Sequence, residues 1–220
     1  MKFTEIIRKE TDAIWEASFD HPFVKGIGDG TLSLEKFKYY VLQDAYYLTH
    51  FAKCQAYAGA KAIDLETTAS LADHAKGTYE AELALHRDFS VRLGVTEEEK
   101  NNFQPAPTAY AYTSHMYRSV LTGSIGDVIA ALLPCYWLYY EVGEKLKGCT
   151  PNEAIYQEWI ATYGGDWFRG LVEEQINRLD ELAAAATEAD RIRWKTHFMI
   201  SSRYELAFWE MAWTMEGWSV

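Results

Sequence analysis

Apolar residues return at three- and four-residue spacing along most of the chain, and no run alternates apolar with polar positions between turn residues as a half-buried strand would. The pattern predicts an all-α fold. Helix-start signals recur at Ser33, at Thr96 with Glu99, at Thr150 with Pro151 and Glu153, and at Thr187 with Asp190, each offering a side-chain oxygen to the orphan amides of a first turn. With stops at Gly30, Gly94, Gly123, Gly148 and Gly164-Gly165, they predict helices over residues 4–17, 33–63, 67–93, 108–122, 124–147, 151–162, 166–185 and 187–216. Asn102 to Pro107 reads as a loop, and Asp20 to Gly30 as a second irregular stretch with room for a short helix. Neither is long enough to separate domains, so residues 1–220 read as a single domain.

The longest apolar run, Val128 to Tyr140, is bounded by Asp127 and Glu141 and interrupted by Pro134. A bilayer span needs about 20 apolar residues, so this run predicts a buried helix and no membrane partner. The start of the chain mixes charge with apolar residues and lacks the continuous apolar core of a secretion signal. With 21 Lys+Arg against 32 Asp+Glu the net charge is −11, a field that repels phosphate backbones, and no basic block is present. Nucleic acid is excluded as an expected partner. Three widely spaced cysteines without a CxxC pair argue against a disulfide framework or a zinc site and point to reduced thiols in the cytoplasm. The 8 Trp, 15 Tyr and 10 Phe could serve a core, an oligomer interface or the walls around a flat ligand.

Chemistry is suggested by polar groups on stripes that should be buried. Asp44 falls within the stripe Phe37, Tyr40, Val41, Tyr47, Leu48, Phe51, Gln55, Ala58, where a carboxylate must be paired or hydrogen-bonded. It either caps a neighbouring helix or pairs with an arginine, or it binds a ligand. Glu205 sits among Phe198, Ser201, Ser202, Phe208, Trp209 and Ala212. Burial raises a carboxyl pKa, which suits a group that holds and delivers a proton near neutral pH, although a pair with Arg191, Arg193 or Arg203 would also account for it. Pro134 should kink its helix and turn Cys135 towards a cavity, with Tyr139 one turn on along the same face. An inert small hydrophobe is the other reading of Cys135. The two glycines after Tyr163 permit close backbone approach. The six histidines form no HExxH, and Glu82 and His86 are spaced by four residues where di-iron bundles use three, which disfavours a metal; His21 stays open as a haem ligand.

Six segments in order carry a resemblance to a known family: His21-Pro-Phe-Val with Gly26-Ile-Gly-Asp-Gly-Thr31, Tyr40-Val-Leu-Gln-Asp-Ala-Tyr-Tyr-Leu-Thr-His-Phe51, Pro107-Thr-Ala-Tyr-Ala-Tyr112, Leu133-Pro-Cys-Tyr-Trp-Leu-Tyr-Tyr-Glu-Val-Gly143, Tyr163-Gly-Gly-Asp-Trp-Phe168 and Ser201-Ser-Arg-Tyr-Glu-Leu-Ala-Phe-Trp209. Across essentially the whole chain the sequence resembles the TenA family, also called thiaminase II or aminopyrimidine aminohydrolase. The resemblance implies a haem-oxygenase-like helical bundle without haem, assembled as a homotetramer. It implies hydrolysis of a pyrimidine-CH2-N bond in thiamin salvage, with thiamin or its aminomethyl-pyrimidine breakdown product as substrate and no metal or organic cofactor. By the same resemblance Cys135 is the nucleophile, Glu205 the acid/base and Asp44 the partner of the amino-pyrimidine. Tyr47, Tyr112, Tyr139, Tyr163 and Phe208 line the pocket. Two other readings stay on the page: a non-catalytic aminopyrimidine-binding regulator, and a haem or di-iron oxygenase using His21, His50 and the Glu82/His86 pair. Trp209, Trp213 and Trp218 crowd the last segment and would suit an oligomer interface.

Overall fold

A computed structural model describes residues 1–219; the side chains of Ala81 and Glu82 lie outside the described set, and with Glu82 goes the Glu82/His86 pairing considered above. Among the described residues there are helices and no strand. In order they are α1 (Phe3–Glu10), α2 (Asp12–Phe19), α3 (Pro22–Asp29), α4 (Leu34–Lys61), α5 (Leu65–Gly77), a π-turn (Thr78–Glu82), α6 (Leu83–Arg92), α7 (Glu97–Asn101), α8 (Pro107–Thr122), α9 (Ile125–Leu146), α10 (Ala154–Tyr163), α11 (Asp166–Ala185) and α12 (Glu188–Thr214).

The long helices form where sequence pattern and capping agree. Ser33 accepts from the Lys36 amide at 3.3 Å, and the stripe expected on α4 is buried as a unit, Asp44 and Gln55 included. Thr96 and Thr187 close capping boxes with Glu99 and Asp190. In α9 the run Val128 to Cys135 is wholly buried, and the helix continues through Pro134. In the turn before the proline Ser201 of α12 donates to the Ala131 carbonyl at 2.7 Å. α9 packs along α12 and α11, and α4 lies against α8, α9 and α12, so that these helices turn their apolar stripes to one core. At the end of α9, Gly143 meets the backbone of Gly164, and a Cβ there would overlap it. This close approach holds the α10–α11 turn, and with it Tyr163, against α9.

Several expectations are corrected. The helix expected over 4–17 breaks at Thr11 into α1 and α2. The helix expected over 67–93 contains the π-turn, which rotates α6 relative to α5. Thr96 starts the short α7, which the element reading omitted. Thr150 caps nothing; α10 starts later, from Glu153 without a side-chain cap. Trp209 belongs to the core rather than to any surface, stacked on Phe23 and packed against Tyr139. Trp218 is exposed, and half-buried Trp213 carries the Lys36 ammonium over its ring. No helix among the described residues is long and apolar enough to cross a membrane.

Candidate active site

α4 contributes Asp44, α9 contributes Cys135, Tyr136 and Tyr139, and on either side of the held turn the end of α10 contributes Tyr163 and the start of α11 Phe168; with Leu48 and Phe51 these side chains bound one small internal cavity. Cys135 and Tyr139, spaced by four residues on one helix, share its wall as their spacing requires. The cavity volume is about 10 Å³, room for about one water.

Asp44 is buried and paired, though with neither a helix end nor an arginine. His86 Nε2 of α6 lies 2.8 Å from its Oδ2, and the Tyr40 hydroxyl donates to the same oxygen at 3.1 Å. Tyr40 also accepts from Trp159 Nε1 at 3.3 Å and stands 3.2 Å from the Tyr139 hydroxyl. A carboxylate only accepts and a phenol has one proton, so with the Tyr40 proton given to Asp44 the Tyr139 hydroxyl donates to Tyr40. The oxygen of Tyr139 is then left as an acceptor on the cavity wall. Both contacts of Asp44 fall on Oδ2, which leaves Oδ1 as an acceptor for a further donor.

Glu205 stands on α12 behind this wall, 2 % exposed, and its Oε1 accepts from the Tyr112 hydroxyl of α8 at 2.5 Å. None of the arginines weighed for it is its partner: Arg191 bonds the Ala183 carbonyl, Arg193 bonds Asp127 and Asp190, and Arg203 is exposed. Burial pushes the Glu205 carboxyl up to about 8, the Tyr112 hydrogen bond opposes this, and the charge of Asp44 adds to it. At neutral pH Glu205 therefore carries a proton. Tyr47 is buried at the junction of the two groups, its pKa raised by burial first and then by its ionisable neighbours Cys135, Tyr112 and Glu205. Its hydroxyl has only the neighbouring Tyr112 hydroxyl beside it, outside full hydrogen-bond geometry, among the described residues. Tyr139 feels Tyr40, Asp44, Glu205 and Cys135 in turn. Phe208 packs against the rings of Tyr40 and Tyr47 and braces them from outside the cavity wall.

The sequence-based site thus divides in two. Asp44, Cys135, Tyr139 and Tyr163 meet on one cavity; Glu205, Tyr47, Tyr112 and Phe208 form the packed layer beside it, within electrostatic reach. Reading the sequence missed the roles of Tyr40 and His86. Tyr40 had a signal, since it precedes Asp44 by one turn on the same stripe. His86 had none, because the π-turn alters the phase of α6. The other histidines weighed as ligands are engaged elsewhere. His21 caps α3 and lies 3.0 Å from Glu210, and His50 lies 2.9 Å from the Tyr117 hydroxyl. No group of metal-ligating side chains gathers among the described residues.

Comparison with known proteins finds a matching family and several relatives. The TENA/THI-4/PQQC family model matches residues 8–215. The chain is 64% identical over 219 residues to a Bacillus subtilis (strain 168) protein named aminopyrimidine aminohydrolase, covering 100% of this chain and 93% of that one. A solved structure of a TenA homologue protein from P. horikoshii OT3 superposes with a TM-score of 0.90 at 32% identity, over 97% of this chain and 99% of that chain. A domain from Shewanella denitrificans with a heme oxygenase-like fold superposes at 0.76 with 16% identity, over 98% of this chain and 93% of that chain, a likeness of fold alone.

Proposed function

The chain belongs to the TENA/THI-4/PQQC family, and on that premise we propose that it hydrolyses the pyrimidine-CH2-N bond of thiamin or of its aminomethyl-pyrimidine breakdown product in thiamin salvage. The observation that carries the reading is the meeting of the Cys135 thiol and Asp44 on one aromatic cavity, with protonated Glu205 held directly behind it.

In this reading Asp44 Oδ1 accepts a hydrogen bond from the exocyclic amine while Tyr40 donates to Oδ2 and His86 Nε2 lies beside it. The tyrosine rings fix the plane of the pyrimidine. Glu205 delivers its proton to a ring nitrogen as the Cys135 sulfur adds to the ring, so that no negative charge accumulates on the heterocycle. Tyr47, buried beside Tyr112, Cys135 and Glu205, is placed to receive a hydrogen bond from the thiol or from the substrate. The leaving group departs with the C–N electron pair, water adds to the exposed carbon, and release of Cys135 yields hydroxymethyl-pyrimidine. Tyr163 and Tyr139 close the ring site, and Phe208 keeps Tyr40 and Tyr47 in register.

The same reading takes residues 1–220 as one domain, supported by a continuous core drawn from nearly every helix, and places it in the cytoplasm as a homotetramer. An apolar groove of about 1060 Å³ between α8 and α12, with Leu121 and Ile192 exposed at its rim, supports burial against another copy. The deciding experiment is Cys135→Ser with the purified protein. Turnover should disappear while the variant still binds hydroxymethyl-pyrimidine by calorimetry. Full turnover in the variant would overturn the assignment, and binding without any turnover in the wild type would mark a regulator instead.

A further inference from the structure

Outside the groups that hold the substrate, a second buried polar chain runs from the cavity wall to the surface. Tyr136, whose side chain bounds the cavity, accepts a short hydrogen bond from Gln55 Nε2, and its hydroxyl lies 2.9 Å from His74 Nδ1. Gln55 is oriented in turn by Thr78, the first residue of the π-turn, whose hydroxyl donates to Gln55 Oε1 at 3.0 Å. On the far side of the imidazole, Nε2 lies 3.2 Å from Glu174 Oε2 and 3.0 Å from the Gln175 side-chain Nε2, whose N–H can only donate, so the orientation of that amide selects the tautomer of the ring. Glu174 also bonds Ser70 and Arg178, and these three side chains line an outward groove of about 650 Å³. His74 is 4 % exposed, whereas the Glu174 side chain is 43% exposed, so the chain starts at the cavity and ends in solvent.

The proposed reaction gives such a path a specific task. When the leaving group is a quaternary thiazolium, the C–N electron pair neutralises that nitrogen, one O–H of water becomes the product alcohol, and the other proton is left over. Pyrimidine-CH2-N⁺ plus water thus gives pyrimidine-CH2-OH, neutral thiazole and one H⁺. When the leaving group is a primary ammonium, ammonia carries that proton away as ammonium and nothing remains.

Resting on the hydrolase reading, we propose that Tyr136, His74 and Glu174 form the proton exit of the buried site, used when the leaving group cannot carry the proton. The relay runs in the tautomer with the proton on Nε2, for which the Gln175 amide turns its oxygen to that nitrogen: the proton reaches the Tyr136 hydroxyl, the phenol proton passes to His74 Nδ1, and the Nε2 proton passes to Glu174 and on to solvent. The charges bear this out in direction. Burial lowers the His74 pKa, against Glu174 and Asp73, which raise it, and with Arg178, which lowers it. The imidazole is therefore neutral at pH 7 and does not retain the proton. Burial works to raise the Glu174 pKa, but Ser70, His74 and Arg178 bring it below the ordinary value, so the outer end is an ionised acceptor.

The test compares thiamin with aminomethyl-pyrimidine on the full-length protein. His74→Asn, which can still bond Tyr136 but cannot pass a proton through a ring, should lower kcat for thiamin about tenfold or more, with the aminomethyl compound within about twofold of wild type. Free imidazole should restore part of the thiamin rate alone. Glu174→Gln, at the surface end, should show the same selectivity with a smaller loss, and guards against a fold defect at the buried position. Equal losses on both substrates, or none on either, would overturn the proton exit. A wild type that hydrolyses neither substrate would instead sink the hydrolase reading beneath it.

Discussion

Two buried carboxylates, Asp127 and Glu205, face each other in meaning though not in space. Asp127, near the start of α9, is fully buried and surrounded by donors. The Ser124 amide and hydroxyl lie at 2.8 and 2.7 Å, Arg193 Nε at 3.1 Å and His197 Nε2 at 3.5 Å. Burial works to raise its pKa, but the hydrogen bonds from His197, Arg193 and Ser124 outweigh it and hold the carboxyl far below its ordinary range. Glu205 is as deeply buried, has a single phenol for a donor and Asp44 for a charged neighbour, and rises to about 8. Burial alone does not identify a proton donor; what decides is whether the neighbours compensate the negative charge. Asp127 ties α9 to α12 and caps a helix, whereas Glu205 holds a proton beside a cavity.

Exchanging each carboxylate for its amide tests the contrast. Glu205→Gln should keep the fold and lower kcat by about 10²–10⁴-fold, the range of a lost general acid. The same variant should change the pH profile of stability. The folded pKa of about 8 lies above the ordinary 4.5, so the stabilisation from neutral Glu205 is complete below about pH 4.5 and is lost as pH rises towards 8. Thermal melts from pH 5 to 8 should fall in the wild type and flatten in Glu205→Gln; parallel curves would refute the shift.

Asp127→Asn should do the converse, costing about 2 kcal/mol in denaturant melts through the lost cap and charged hydrogen bonds while leaving kcat near wild type. Its pH signature has the opposite sign: the folded pKa lies below the ordinary 3.8, so Asp127 stabilises above that pH and the contribution is lost as pH falls. A variant as stable as wild type but impaired in turnover would reverse the assignment of the two carboxylates. The smallest effect is expected from Tyr112→Phe. Removing the one hydrogen bond that lowers the Glu205 pKa should move the alkaline limb of kcat to higher pH, and a shift to lower pH would contradict the geometry.

Much of this was legible in the chain. The 3.6-residue periodicity fixes an all-helical fold because apolar stripes must find partners, and a charged residue on such a stripe advertises itself, as Asp44 and Glu205 do. Cys135 does not, since among Leu132, Leu133 and Leu138 a thiol reads as any small hydrophobe. Its significance came from resemblance and from the cavity it shares with Asp44. What only the tertiary structure decided is which group faces which: His86 behind Asp44, phenol rather than guanidinium on Glu205, Trp209 in the core, and a chain from Tyr136 through His74 to the surface. The physical reason is that periodicity reports one helix's own faces, whereas charge compensation and hydrogen-bond direction belong to pairs far apart in sequence, and a single π-turn is enough to rephase the helix that carries one partner.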